Sequence, residues 1–152
     1  MDAKLVNPFM DAFMNIMPQI GFQNLKRNKI SVRDKATLSL GVTVLVGFTK
    51  EIRGSVAYNM TDDTAKFIAS TMMMGMPVAD FDEMAQSAIS ELSNMLTANA
   101  ATNLTAMGLE VDISTPSLSI GDNFMVKISS EQYLSIEMEI DGHVFEIDIA
   151  VQ

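Results

Sequence analysis

Glu91 and Asn94 stand three residues apart in a stretch whose apolar residues Phe81, Ala85, Ala88, Leu92, Met95 and Leu96 recur at three- and four-residue steps. That spacing is one face of an amphipathic helix. At roughly 100° per residue, Glu91 falls on the flank of the apolar stripe and Asn94 nearly opposite it. A carboxamide does not take up a proton near neutral pH, so Asn94 cannot serve as a general base. It donates one hydrogen bond and accepts another, which is what fixing the direction of a water molecule requires. Such a group helps where the substrate is already activated and lacks only an oriented nucleophile. Around the pair, Ser87, Ser90, Thr97, Ala98 and Ala101 present small side chains where a solvated helix would carry Lys, Glu and Arg. Another protein can approach such a surface closely.

The helix holding the pair is expected to be capped by Asp80 and to run to Gly108. Before it, Leu5, Val6, Phe9, Phe13, Ile16, Met17 and Ile20 predict a first helix from Asp2 to Ile20, with Pro18 and Gly21 as its stop. Lys26 to Arg33 alternates weakly and reads as an edge strand, where lysines discourage aggregation. Val42 to Phe48 is a second strand, with Val42, Val44, Val46 and Phe48 on one face, and Gly54 to Met60 returns as a third. Thr61, followed by Asp62 and Asp63, should cap a second helix ending at Gly75. After the motif helix come strands at Val111 to Ser114 and Phe124 to Ser129, then a hairpin. In that hairpin Leu134, Ile136, Met138 and Ile140 alternate with Ser135, Glu137, Glu139 and Asp141. Asp141-Gly142 supplies a type I′ turn, and Phe145, Ile147, Ile149 and Val151 repeat the pattern opposite Glu146 and Asp148. One sheet face is therefore expected to be apolar and the other acidic. The order predicts an α+β fold: a mainly antiparallel sheet, a long motif-bearing helix and two further helices on one face, in two similar halves. No Pro- or Gly-rich linker divides residues 1–152, which read as one domain.

Composition excludes several functions. The chain is 48% hydrophobic and 19% charged, ordinary for a globular protein. It has no cysteine, hence no disulfide framework, thiolate metal site or thiol nucleophile. No apolar run is long enough to span a bilayer, and no secretory signal is evident, so a soluble cytoplasmic protein is expected. The net charge of −9 is uneven: residues 1–66 hold nine Lys or Arg against six acids, residues 67–152 one Lys against thirteen. No basic patch dense enough for nucleic acid is present. His143, the one histidine, lies in the terminal hairpin and reads as a strand residue; it offers neither a metal site nor a partner for a serine nucleophile. Asn99 and Asn103 fall near the apolar stripe and read as structural rather than as a second active amide. The fourteen methionines read as core and interface filling.

The order Ser87-x-x-x-Glu91-x-x-Asn94, followed by Met95 and, beyond Gly108, by Pro116, resembles the signature helix of the CheC/CheX/FliY family of chemotaxis phosphatases. Met1-Asp2-Ala3, Gly54-Ser55-Val56, Met72-Met73-Met74-Gly75-Met76 and Val111-Asp112-Ile113-Ser114-Thr115-Pro116 extend the likeness to CheX-type members over nearly the whole chain. The resemblance implies an enzyme that accelerates hydrolysis of the aspartyl phosphate on a CheY-like response-regulator receiver. In that role Asn94 orients the attacking water, Glu91 pairs with the receiver's lysine and Ser87 supports docking; the small Ser90 and Ala98 beside them are expected to contact the partner as well. It implies no cofactor on this chain, the Mg²⁺ being the receiver's, and a homodimer, for which an exposed strand edge is the expected contact. Members of the CheC type can carry a second Glu-x-x-Asn in the first helix; here Asp11-Ala12-Phe13-Met14-Asn15 departs from it, so one site per chain is expected. The alternative is a non-catalytic receiver-binding or flagellar-switch module of the same fold.

Overall fold

Val42, Val44, Val46 and Phe48 need a dry surface on one side of their strand, and the whole fold is arranged to supply it. In the computed structural model, which describes residues 3–152, all four are buried in the main core. A short 3₁₀ turn, Ala3–Leu5, leads into α1 (Asn7–Ile20). The expected start at Asp2 lies outside the described residues, and the α-helix proper begins only at Asn7. Pro8 occupies its first turn, where a missing N–H costs nothing, and Pro18 falls in the last turn before Gly21. Phe9 meets Phe48, and Phe13 meets Phe145, so α1 lies on the sheet through its aromatic face.

The strands are β1 (Leu25–Lys50), β2 (Gly54–Thr61), β3 (Val111–Ile113), β4 (Ser117–Ile140) and β5 (His143–Val151). Every ladder is antiparallel. The Lys26–Arg33 and Val42–Phe48 segments, expected as separate strands, are two ends of the single 26-residue β1. Likewise Phe124–Ser129 and the first arm of the terminal hairpin merge in β4. The register of β1 against β4 shifts between Arg27 and Lys29, Asp34 and Ala36, and Leu38 and Leu40, the last two between the expected pieces. At each shift the two strands advance by unequal numbers of residues, which bends the pair and breaks the alternation that marks a strand in sequence. Along Leu25–Asp34, β1 has β4 as its only strand partner among the described residues, so this end is the expected edge.

β1 pairs with β2, β2 with β5, β5 with β4 and β4 with β1, a closed circuit. α1, α2 (Asp62–Met72) and α3 (Glu83–Ala106) cover one face. Thr61 caps α2, accepting a 3.1 Å bond from the Thr64 amide; the helix ends at Met72, and a turn carries the chain to Gly75. Asp141 and Gly142 take positive φ values of 48° and 85°, the turn their residue types demand. The two halves repeat a plan of helix, long strand and returning strand: α1, β1, β2 and then α3, β4, β5.

The acidic alternation of β5 does not face water. Glu146 and Asp148 are both buried, because the bent middle of β1 and β4 folds over that side of the sheet. Ile128 and Tyr133 pack there on Ala57 and Ala150. The Arg33 guanidinium donates to Glu146 Oε1 at 3.1 Å, and the Thr37 hydroxyl donates to the same oxygen at 3.0 Å. Among the described residues, Asp148 has no such partner cation of its own. Burial first, and then the neighbouring Glu146 carboxylate, push its pKa up to about 8.

Asp148 therefore binds its proton more tightly in the folded chain than in the unfolded one. Its contribution to stability is full below the ordinary carboxylate range and is lost as pH rises toward about 8. Asp148→Asn, which keeps the shape without the charge, should differ least from wild type in denaturant midpoint near about pH 4 and be progressively more stable toward about pH 8. A gap that does not widen with pH would show that Asp148 is ionised in the folded state throughout.

Candidate functional site

α3 is set in place at both ends and along its buried side. Its N-cap is Asp82 rather than Asp80: the Asp82 carboxylate accepts a 3.0 Å bond from the Ala85 amide, and Glu83 sits in the first turn, where the helix dipole favours an acid. At the other end the helix stops at Ala106, short of Gly108. That glycine takes a φ of +87°, and the Leu109 amide returns to the Leu104 carbonyl at 2.9 Å.

The buried stripe is Ala85, Ile89, Leu92, Ser93, Leu96, Thr97, Ala100 and Leu104. Ala88 and Met95 are half-buried at its border. Thr97, expected on the outward surface, is buried, and its hydroxyl explains why. It donates to the Ser93 carbonyl at 2.7 Å and lies 2.8 Å from the Tyr58 hydroxyl. A threonine hydroxyl has one proton, so the Tyr58 O–H is the donor in the second bond. Ser93 in turn donates to the Ile89 carbonyl at 2.9 Å. This ladder ties the inner side of α3 to β2 and sets the rotation of the helix about its axis. Asn103 donates to the Pro8 carbonyl at 3.0 Å and ties the same helix to α1, while Asn99 is half-buried with an unpartnered Oδ1. Neither amide lines the groove described next.

With Ser93 and Thr97 drawn into the core, the buried stripe is turned toward Asn94, so Glu91 is the exposed member of the pair and Asn94 the half-exposed one, the reverse of what the apolar spacing predicted. They line one wall of an open groove of about 820 Å³, together with Glu83, Gln86, Ser87 and Ser90. The opposite wall is Ile113, Ser114, Thr115, Pro116 and Leu118. β3 holds that wall against the end of β1, and Ser114 locks it: its amide donates to the Gly47 carbonyl and its Oγ accepts from the Gly47 amide, both at 2.8 Å. Among the described residues, neither the Glu91 carboxylate nor the Asn94 carboxamide is engaged by a hydrogen bond or ion pair of the chain itself. Both groups are free to meet an incoming molecule.

The expected site residues Ser87, Ser90, Glu91 and Asn94 thus come together. Ala98 is exposed one turn further along α3 but does not line the groove. The second wall, Ser114 to Pro116, was visible in sequence only as part of a family likeness; no periodicity links it to Asn94, and only β3 pairing brings it there. His143 stacks on Phe67 with ring centroids 4.3 Å apart, away from the groove. No group of three or more His, Cys, Asp or Glu placed to hold a metal ion occurs among the described residues, and no helix among them is long and apolar enough to cross a membrane.

A family model described as chemotaxis phosphatase CheX matches residues 42–139. The CheY-P phosphatase CheX of Thermotoga maritima is 32% identical over 127 residues, covering 84% of this chain and 82% of that protein. A CheC-like superfamily protein from a Shewanella species superposes with a TM-score of 0.89 at 24% identity, over 100% of this chain and 99% of its own. CheX from Borrelia burgdorferi, solved in a CheX–CheY–BeF₃–Mg²⁺ complex, does so with a TM-score of 0.83 at 26% identity, over 97% of each chain. The three-helix, antiparallel-sheet fold is therefore that of CheX- and CheC-like proteins. The chain belongs to the CheX family of chemotaxis phosphatases, and it is a phosphatase.

The Tyr58 ladder makes a prediction of its own. Tyr58→Phe removes one buried hydrogen bond and leaves the Thr97 oxygen without its donor, so it should cost about 1–2 kcal/mol of stability. Chemical denaturation should show the loss as a lowered midpoint at unchanged slope. An unchanged midpoint would mean that the ladder does not hold α3.

Proposed function

We propose that the groove receives the phosphorylation site of a CheY-like receiver and that Asn94 holds the water that hydrolyses its aspartyl phosphate. The observation that carries this reading is the pair of unengaged polar groups, an acid and an amide, on one wall of a groove too open to enclose a small substrate. The Asn94 carboxamide accepts one hydrogen of the water and leaves its oxygen directed at phosphorus. The new P–O bond forms as the bond from phosphorus to the aspartyl oxygen breaks, releasing inorganic phosphate and returning the receiver's carboxylate. An acyl phosphate already carries the driving force, so positioning and charge stabilisation are what the partner must add. Mg²⁺ and the lysine that neutralise the transferring group belong to the receiver, and Glu91 pairs with that lysine to set the register of the two proteins. The Borrelia complex, which holds CheX together with CheY, BeF₃ and Mg²⁺, supports the choice of partner. The site of action would be the cytoplasm, where receivers reside.

We also propose that the protein acts as a homodimer. Ile30, Val32, Leu38, Leu40, Ile120 and Met125 are exposed along β1 and β4, with Val32 and Met125 each 60% exposed. So many large apolar side chains on one strand pair call for a cover, and a second copy of the same edge supplies it.

The two halves of the pair should separate in kinetics. Asn94→Ala should lower saturating phosphate release about 30- to 1,000-fold, roughly 2–4 kcal/mol, while leaving receiver affinity nearly intact. Glu91→Ala should weaken association as well as turnover, and added salt should reproduce part of its effect on the wild type. Near-normal turnover of Asn94→Ala at saturating receiver would exclude the water-orienting role. For the dimer, sedimentation equilibrium should give twice the chain mass, and Val32→Lys with Met125→Lys should shift it toward monomer; a wild-type monomer at micromolar concentration would end the proposal.

A further inference from the structure

The groove does not stop at Glu91. Seven residues earlier on α3, close to two full turns, Met84 lies on the same row of the helix roughly 10 Å away along the axis. It is 63% exposed. Beside it the end of α2 contributes Met72 and Met73, and together with Glu83, Ser87, Ala88 and Glu91 these line a second, shallow depression of about 620 Å³. Glu83, Ser87 and Glu91 line both it and the groove, so the two are one continuous surface.

The turn that follows Met73 carries two further methionines, outside the lining of this depression. Met74 is 97% exposed and Met76 57% exposed. They are held there: the Gly75 amide donates to the Ser70 carbonyl and the Ser70 hydroxyl to the Met76 carbonyl, both at 2.8 Å. Met74 takes a φ of +60°, a left-handed conformation that costs a side chain with a Cβ. The turn thus holds two exposed apolar side chains on a hydrogen-bonded backbone. The nearby charges, Asp80, Asp82, Glu83 and Glu91, are all acidic and exposed. The nearest lysine on α2, Lys66, is engaged by Asp62 at 2.8 Å. What fits this surface is a partner that is basic at one point and apolar beside it.

We propose that this methionine shelf is the second half of the receiver-docking surface. It takes an apolar side chain that the receiver carries beside its phosphorylation site, about 10 Å from the lysine that meets Glu91. The proposal rests on the reading of the groove as the receiver's site. Glu91 then supplies the charged register and the shelf supplies apolar area. Unbranched thioether side chains adapt to apolar partners of different shape, so the shelf selects for apolar character and distance rather than for one residue.

The test is a titration with a CheY receiver loaded with BeF₃⁻ and Mg²⁺, alongside phosphate release from the same receiver when phosphorylated. Met84→Ser combined with Met73→Ser should raise the dissociation constant tenfold or more and raise the half-saturating receiver concentration equally, with the loss absent from kcat. Added salt should leave that ratio unchanged, unlike the effect of Glu91→Ala. Met84→Leu should bind as wild type does. An unchanged dissociation constant in the double serine variant, or a loss confined to kcat, overturns the shelf. Asn94→Ala, run in parallel, reports on the water-orienting reading alone, so failure of one is distinguishable from failure of the other.

Discussion

The antiparallel pairing of β1 with β4, from Leu25 opposite Ile140 to Leu45 opposite Ser117, constrains everything else in the molecule. Two strands this long twist, and a flat pair could not both support the helices and close with β2 and β5. The register shifts between β1 and β4 relieve the conflict by bending the pair. One end then runs free as an edge, the middle folds over β5, and the far end carries β3. That last consequence makes the site, since β3 holds the Ser114–Pro116 wall at a fixed distance from α3.

α3 has to satisfy two demands that pull against each other. Its inner side must be dry, and its outer side must leave an acid and an amide without partners. Small residues and back-bonded hydroxyls reconcile them. Ser93 and Thr97 return their hydroxyls to the helix's own carbonyls, so the buried side carries polar atoms at little cost. Tyr58 then adds a fixed point from β2. The outer side is stabilised by nothing comparable. Glu91 and Asn94 depend on the inner side of the helix for their direction.

Much of this was legible in residue order where one physical rule acted alone. The Asp141-Gly142 turn, the Thr61 cap and the Val42–Phe48 face each follow from local stereochemistry or simple periodicity. Legibility failed where tertiary structure overrode the local rule. Register shifts broke the period of β1 and β4, so single strands read as several. Glu146 and Asp148 alternate as solvent-facing acids do, and nothing local announces that Ile128 and Tyr133 fold over them. Thr97 looked like another small outward residue until Tyr58, far away in sequence, claimed it. Asp80 and Asp82 are both acceptable caps by type, and the backbone geometry of the second decided between them.

The same long pairing bears on how the chain reaches its native state. Leu25–Asp34 is made well before its strand partner, the C-terminal part of β4. Contacts between such distant parts of a chain make for slow assembly, and in the interval an unpaired strand is open to the wrong neighbour. Lys26, Arg27, Lys29 and Arg33 lie on that waiting segment. Their charge repels a second nascent copy while β4 is still being made, and later Lys26 and Arg33 turn to Glu139 and Glu146 once their partners arrive. The same basic residues that mark this edge in the sequence thus also disfavour its mispairing before β4 is made.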